Sequence, residues 1–327
     1  MTISRSPQPS PSTNGTTEVS DLRRPRAAFG TVVSAVLWLV AAGAFGQTLT
    51  LDFETFPGPD GQLGTGDDVP TPDCSVQPCA VADAYAALGL DFTVGTLLQG
   101  DTFPGTGPGN HYLSSSPPDV AVTPDVYGVS IRSHSRWTAV LYALDADGGV
   151  LATDTLVNPS AGVSDHGGTL GVVTTEPIRR FTVRPLGCGI DEQCSQILNL
   201  DDLTISTEVG RCLPSSSRMC LQDGRFQVEV AWKDFAGFTD DAQVVPFGSA
   251  DSGLFWFFEA DNWEMLVKVL DACGVNGHFW VFSAATTNVE YTLRVVDTET
   301  GQSKEYFNAL GNAAAALTDT SAFETCP

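Results

Sequence analysis

Residues 225–232 read RFQVEVAW. Phe226, Val228, Val230 and Trp232 alternate with Arg225, Gln227, Glu229 and Ala231. A period of two puts each set on its own side of an extended chain, so this is a strand with one buried face. The alternation returns at 289–297, VEYTLRVVD, where Val289, Tyr291, Leu293 and Val295 oppose Glu290, Thr292 and Arg294. Asp297 to Gly301, DTETG, makes the turn that follows. Between the two strands lies 254–282, with three tryptophans (Trp256, Trp263, Trp280) and five phenylalanines. It reads as strand GLFWFF, turn EADN, strand WEMLVKVLD, turn GVNG and strand HFWVFSA. Met265, Val267 and Val269 share one face, with Glu264 and Lys268 opposite. Phe279 and Val281 then oppose His278, Trp280 and Phe282. Alternate residues point to opposite faces, so these aromatics do not all enter one layer. Most belong to a core, and the rest lie under a loop or form an exposed patch. Residues 212–327 are therefore expected to form an antiparallel β-sandwich.

The chain before this is also β, which makes the fold class all-β. Short apolar runs at 48–54, 126–133, 179–186 and 197–207 are separated by Gly, Pro, Asn and Asp. Residues 137–157 read as a hairpin turning at Asp147-Gly148-Gly149. A short helix is expected at 80–89, and TEVGRC (207–212) marks a domain boundary.

Residues 2–20 are rich in Ser, Thr, Pro and Asn and read as disordered. Arg23, Arg24 and Arg26 then precede an uncharged apolar run ending in small residues near Gly46. That order is a secretory signal cleaved near Gly46 or Gln47, and an uncleaved membrane anchor is the alternative. Sixteen Lys+Arg against 39 Asp+Glu give a net charge of -23. Such a surface excludes nucleic acid and anionic membrane faces as partners. Cys74, Cys79, Cys188, Cys194, Cys212, Cys220, Cys273 and Cys326 all follow the signal. In an exported chain they read as disulfides. Three pairs are close in sequence, which leaves Cys273 and Cys326 to close the last domain. Spacing alone does not fix the connectivity. A zinc site needs histidine near a cysteine pair. His111, His134, His166 and His278 share no short motif with one.

Two resemblances follow from longer motifs. LDFE, YAALGLDF, LYALDADGGVLAT and LNLDDLTI occur in that order within 47–207. This segment resembles the lectin-like jelly-roll domains of exported bacterial proteins. Many of those carry a PEP-CTERM sorting signal, which the closing FETCP does not match. MCLQDGRFQVEVAWKD, DSGLFWFFEADNWEMLVKVLDACGVNGHFWVF and NVEYTLRVVDTETG resemble a β module that recurs in exported bacterial proteins. That module has no activity to carry over.

The jelly-roll resemblance implies that the first and last strands lie side by side. Asp52 and Glu54 on one, with Asp201 and Asp202 on the other, are then candidate ligands of a structural calcium. A second calcium candidate is the Gly-rich loop 58–70, with Asp60, Asp67 and Asp68. It lacks EF-hand spacing, and an acidic surface loop is its other reading. His111, Tyr112, Arg132, His134, Arg136 and Trp137 are candidates for a sugar-binding face, or an ordinary solvated strand edge. No nucleophile elbow, zinc-protease helix motif, phosphate loop or dinucleotide fingerprint is present. The expected role is a secreted, non-catalytic binding protein for glycan or another extracellular polymer. A structural or adhesive surface protein binding other proteins is the second reading, and a divergent hydrolase is the third.

Overall fold

A computed structural model describes residues 48–72, 79–92, 97–100, 111–115, 118–158, 166–192, 194, 196 and 198–327. The segment expected to be an export signal and Cys74 lie outside the described residues. So do the side chains of Cys79, His111 and Tyr112.

The first half runs β1 (Thr48–Leu51), β2 (Thr55–Phe56), β3 (Val69–Pro70), β4 (Cys79–Ala80), a 3-10 helix (Ala82–Leu88), β5 (Leu90–Phe92), β6 (Leu97–Gly100), β7 (His111–Ser115), β8 (Asp119–Ser135), β9 (Ala139–Leu144), β10 (Val150–Leu156), β11 (His166–Pro185) and β12 (Leu198–Ser206). The second half runs β13 (Met219–Leu221), β14 (Phe226–Lys233), β15 (Thr239–Asp241), β16 (Gln243–Ser249), β17 (Ser252–Trp256), β18 (Trp263–Ala272), α1 (Cys273–Asn276), β19 (His278–Ala285), β20 (Glu290–Asp297), β21 (Ser303–Asn308) and β22 (Leu317–Phe323). The all-β class stands.

In the first half the path β10-β9-β11-β8-β12-β7-β6-β4 forms one sheet, joined by β1 on β12 and β5 on β8. The two long strands, β8 and β11, change register around Val173 and Ile178. Beyond that break β8 pairs with β5, and before it β8 pairs with β12, so one sheet wraps a single core. Leu51, Phe92, Ile131, Phe181 and Leu203 are among the residues of that core. β1 and β12 are antiparallel neighbours, with Leu51 opposite Leu203. The hairpin turn is as expected: Asp145 Oδ1 accepts the amides of Asp147 (2.9 Å) and Gly149 (2.7 Å), and Gly148 has φ 83°.

The second half packs sheet β13-β14-β20-β21, with β15 on β14, against sheet β16-β17-β18-β19-β22. Phe226, Val228, Val230 and Trp232 meet Met265, Val267, Val269, Phe279 and Val281 in one core. The Phe226 ring lies 4.8 Å from Phe279 and 5.2 Å from Phe323, centroid to centroid. Each such ring stabilises the fold by about 2–3 kcal/mol through burial alone. Three disulfides are present among the described residues: Cys188–Cys194, Cys212–Cys220 and Cys273–Cys326. No described helix is long and apolar enough to cross a membrane.

GVNG turns the chain as expected, with Gly274 to Asn276 inside a single helical turn, Cys273–Asn276, closed by Gly277 at φ 76°. One local reading needs correction. Glu264, placed by alternation on the solvent face, is buried at 4% exposure. The pairing of β17 with β18 shifts at Phe255/Trp256, and this bulge turns Glu264 inward. There its Oε2 accepts the Phe257 amide at 2.6 Å, and Oε1 accepts from the Asn262 side chain. Burial pushes its carboxyl pKa up.

The segment joining the halves is docked on the first sheet. Ser130 Oγ donates to the Pro214 carbonyl at 2.9 Å. Asp154 accepts the Gly171 amide (2.8 Å), the Ser216 hydroxyl (2.8 Å) and the Ser216 amide (3.2 Å). A Cβ on Gly171 would stand 1.9 Å from the Pro214 oxygen, so only glycine fits. Asp154→Ala leaves these donors without their acceptor and is expected to lower stability by about 2 kcal/mol. The urea midpoint at constant m-value checks this.

Candidate binding face

Register shows which aromatics of 254–282 stay outside. Cross-strand partners in an antiparallel ladder lie on the same side of the sheet. Phe255, Met265, Val267, Phe279 and Val281 are buried, so their alternates face outward. Trp256 pairs with Trp263, and Leu254 with Leu266. Lys268 pairs with Phe282, and Leu270 with Trp280. All three tryptophans therefore share the outer face of the sheet β16-β17-β18-β19-β22. Trp263 is 49% exposed and Leu266 38% exposed, while Trp256, Trp280 and Phe282 are half-buried.

The rings are held. Trp280 Nε1 donates to Asn276 Oδ1 at 2.9 Å, and its ring meets Phe282 edge-on at 6.1 Å. Trp263 Nε1 donates to the Ala260 carbonyl at 3.2 Å. From Leu270 to the bulge the face extends roughly 20 Å, at about 3.4 Å per residue. In β17, β18 and β19 no Asp or Glu points outward between Trp256 and Trp280, and Lys268 is the one ammonium there. On a chain of net charge -23 this is an apolar, carboxylate-free strip.

The polar candidates of the first half assemble differently. Asp201 lies opposite Arg132 and Asn199 opposite His134. A guanidinium nitrogen of Arg132 contacts both Asp201 Oδ2 and Asp202 Oδ2 at 2.9 Å. Two residues expected as calcium ligands thus share an arginine that was expected on a sugar face. Asp52 Oδ1 accepts the Glu54 amide at 3.0 Å, and burial, then the charges of these two carboxylates, push the Tyr85 hydroxyl pKa up. Among the described residues no three His, Cys, Asp or Glu side chains gather as a metal-binding group.

In the loop 58–70 the carboxylates turn on their own backbone. Asp60 accepts from the Gln62 amide, Asp68 from the Gly64 and Thr65 amides, and Asp67 from the Asp60 amide and Thr65 hydroxyl. Hydrogen bonding, led by Thr65, holds the Asp67 pKa below its usual value. Trp137 is 40% exposed, in the turn after β8. His111 and Tyr112 sit on β7, separated from His134 on β8 by the intervening β12. Alternation never linked Arg132 to Asp201, because they are 69 residues apart.

Asp201 is only 2% exposed. Burial, then the neighbouring Asp202, raise its pKa to about 6, with the Asp202 amide and Arg132 pulling the other way. A raised carboxyl pKa adds stability below its unfolded value, and that stability is lost as pH rises through the folded value. Between about pH 4 and 6 the wild type is expected to lose on the order of 2 kcal/mol relative to Asp201→Asn. Paired denaturation curves across that window show it as a slope present in one protein and absent in the other.

No protein-family model matches the chain, and no curated protein matches it either.

Proposed function

We propose that this is an exported, non-catalytic binding protein that takes an uncharged extracellular polysaccharide on the outer face of its second sandwich. The observation that carries this reading is the alignment of Trp256, Trp263 and Trp280 on one exposed sheet face. Sugar rings present flat C–H faces that pack on indole and phenyl rings, and their hydroxyls take hydrogen bonds at the rim. Lys268 and the exposed Thr318, which pairs with Phe282, supply donors beside the rings. A carboxylate-free strip favours a neutral chain over a cationic one. The disulfides suit an oxidising compartment.

Sedimentation with insoluble neutral polysaccharides, and a glycan array with and without calcium, test the proposal. Wild type is expected to bind, and Trp256→Ala/Trp280→Ala, checked to be folded by circular dichroism, to weaken binding at least tenfold, about 1.4 kcal/mol. Absence of binding to any glycan sinks the proposal, and so does an unaffected double variant. If the wild type instead forms a dimer that the double variant loses, the face serves protein contacts, as in the adhesive reading.

A further inference from the structure

One end of the second sandwich displays apolar rings within an acidic rim. Asp234 closes the loop between β14 and β15. Its Oδ1 accepts the amides of Ala236 (2.8 Å) and Phe238 (2.9 Å), its own amide donates to the Phe238 carbonyl, and Gly237 donates to the Asp234 carbonyl. Gly237 has φ 88°, which a side chain would strain. Locked this way, the loop holds Phe235 outward at 62% exposure and Phe238 at 57%. Phe238 and Phe258 flank buried Trp232, at 5.7 and 4.7 Å between centroids, and Phe258 is itself 43% exposed. A loop held by four hydrogen bonds does not fold these rings away, so they are preorganised for contact.

The surrounding charges choose the partner. Asp240 and Asp241 follow Phe238, Glu259 and Asp261 follow Phe258, and all four are exposed. Lys233 is the basic residue of the tip, and its nearest carboxylate is Glu290 at 3.9 Å. Among the described residues none of those four acids forms an ion pair with Lys or Arg. Apolar rings with an unmatched negative rim complement a surface that carries cations beside apolar side chains.

We infer that this tip docks a segment of a partner protein in which lysine or arginine alternates with large apolar residues. Lipid is disfavoured because inserting the rings brings the acidic rim to the headgroups. The inference does not rest on the polysaccharide reading.

The test uses the intact protein and a 12-residue peptide alternating lysine and leucine, with fluorescence anisotropy as readout. The peptide is expected to bind, with affinity falling at least tenfold in Phe235→Ser and in Asp240→Asn/Asp261→Asn. These positions are exposed, so melting temperature should hold. A glutamate–leucine peptide is expected not to bind. The inference is overturned if the lysine–leucine peptide binds the wild type no tighter than about 1 mM, if either variant keeps wild-type affinity, or if the glutamate peptide binds equally. Co-sedimentation with phosphatidylcholine vesicles, lost in Phe235→Ser, would assign the tip to lipid and also overturn it.

Discussion

Replacing Cys273 and Cys326 by serine is expected to destabilise the second sandwich by about 4 kcal/mol. The bridge spans 53 residues. Closing a loop of that length removes about 14 cal/mol/K from the unfolded chain, or about 4 kcal/mol at room temperature. The other two bridges span 6 and 8 residues and constrain much less of the chain. Urea titration of the double serine variant, with and without reductant, checks this. The wild type should fall towards the variant when reduced. A variant as stable as the oxidised wild type would contradict the argument.

Arg225→Ala is expected to cost about 3–5 kcal/mol, the usual effect of stranding one member of a buried ion pair. Asp297 is fully buried, and Arg225 reaches it from 2.9 Å. The same guanidinium lies 4.5 Å from the centroid of Phe279 and donates to the Thr325 carbonyl, so it ties the strand ends to the C-terminal segment. Burial pushes the Asp297 carboxyl up, but the hydrogen bonds and charge of Arg225 oppose it, and the pKa stays below the usual value. That stability is present at neutral pH and is lost only as pH falls through the depressed pKa, below about 4. Thermal melts in a series from pH 7 down to pH 2 should therefore show the gap between wild type and Arg225→Ala narrowing as the pH falls below about 4. Thr325 precedes Cys326, so the two losses should not add, and the triple variant measures the coupling.

Much of the second sandwich was legible because its strands have one wet face and one dry one. Phe226, Val228, Val230 and Trp232 are all buried, as their spacing demands. The same rule sorted Phe279 and Val281 from Trp280 and Phe282. It failed at Glu264, because a bulge changes the count and no local residue type announces it. It was also silent about Arg225–Asp297 and Asp154–Ser216, which are 72 and 62 residues apart. Polar pairs leave no periodic trace, and only the folded register brings them together. For the candidate binding face, alternation narrowed the choice to three tryptophans. Pairing Trp256 with Trp263, and Leu270 with Trp280, needed the strand registers.

The docked linker also bears on how such a protein is inherited. The Pro214 carbonyl occupies the space where any side chain on residue 171 would begin, and Asp154 is spent on the chain that enters the second sandwich. A different β domain spliced before residue 212 would present neither that gap nor that carboxylate. The two halves are thus expected to travel through recombination as a matched pair, with Gly171 and Asp154 as the marks of the match. A chimera that keeps residues 212–327 behind a foreign domain is expected to tumble more nearly as two loosely tethered bodies than the native chain does.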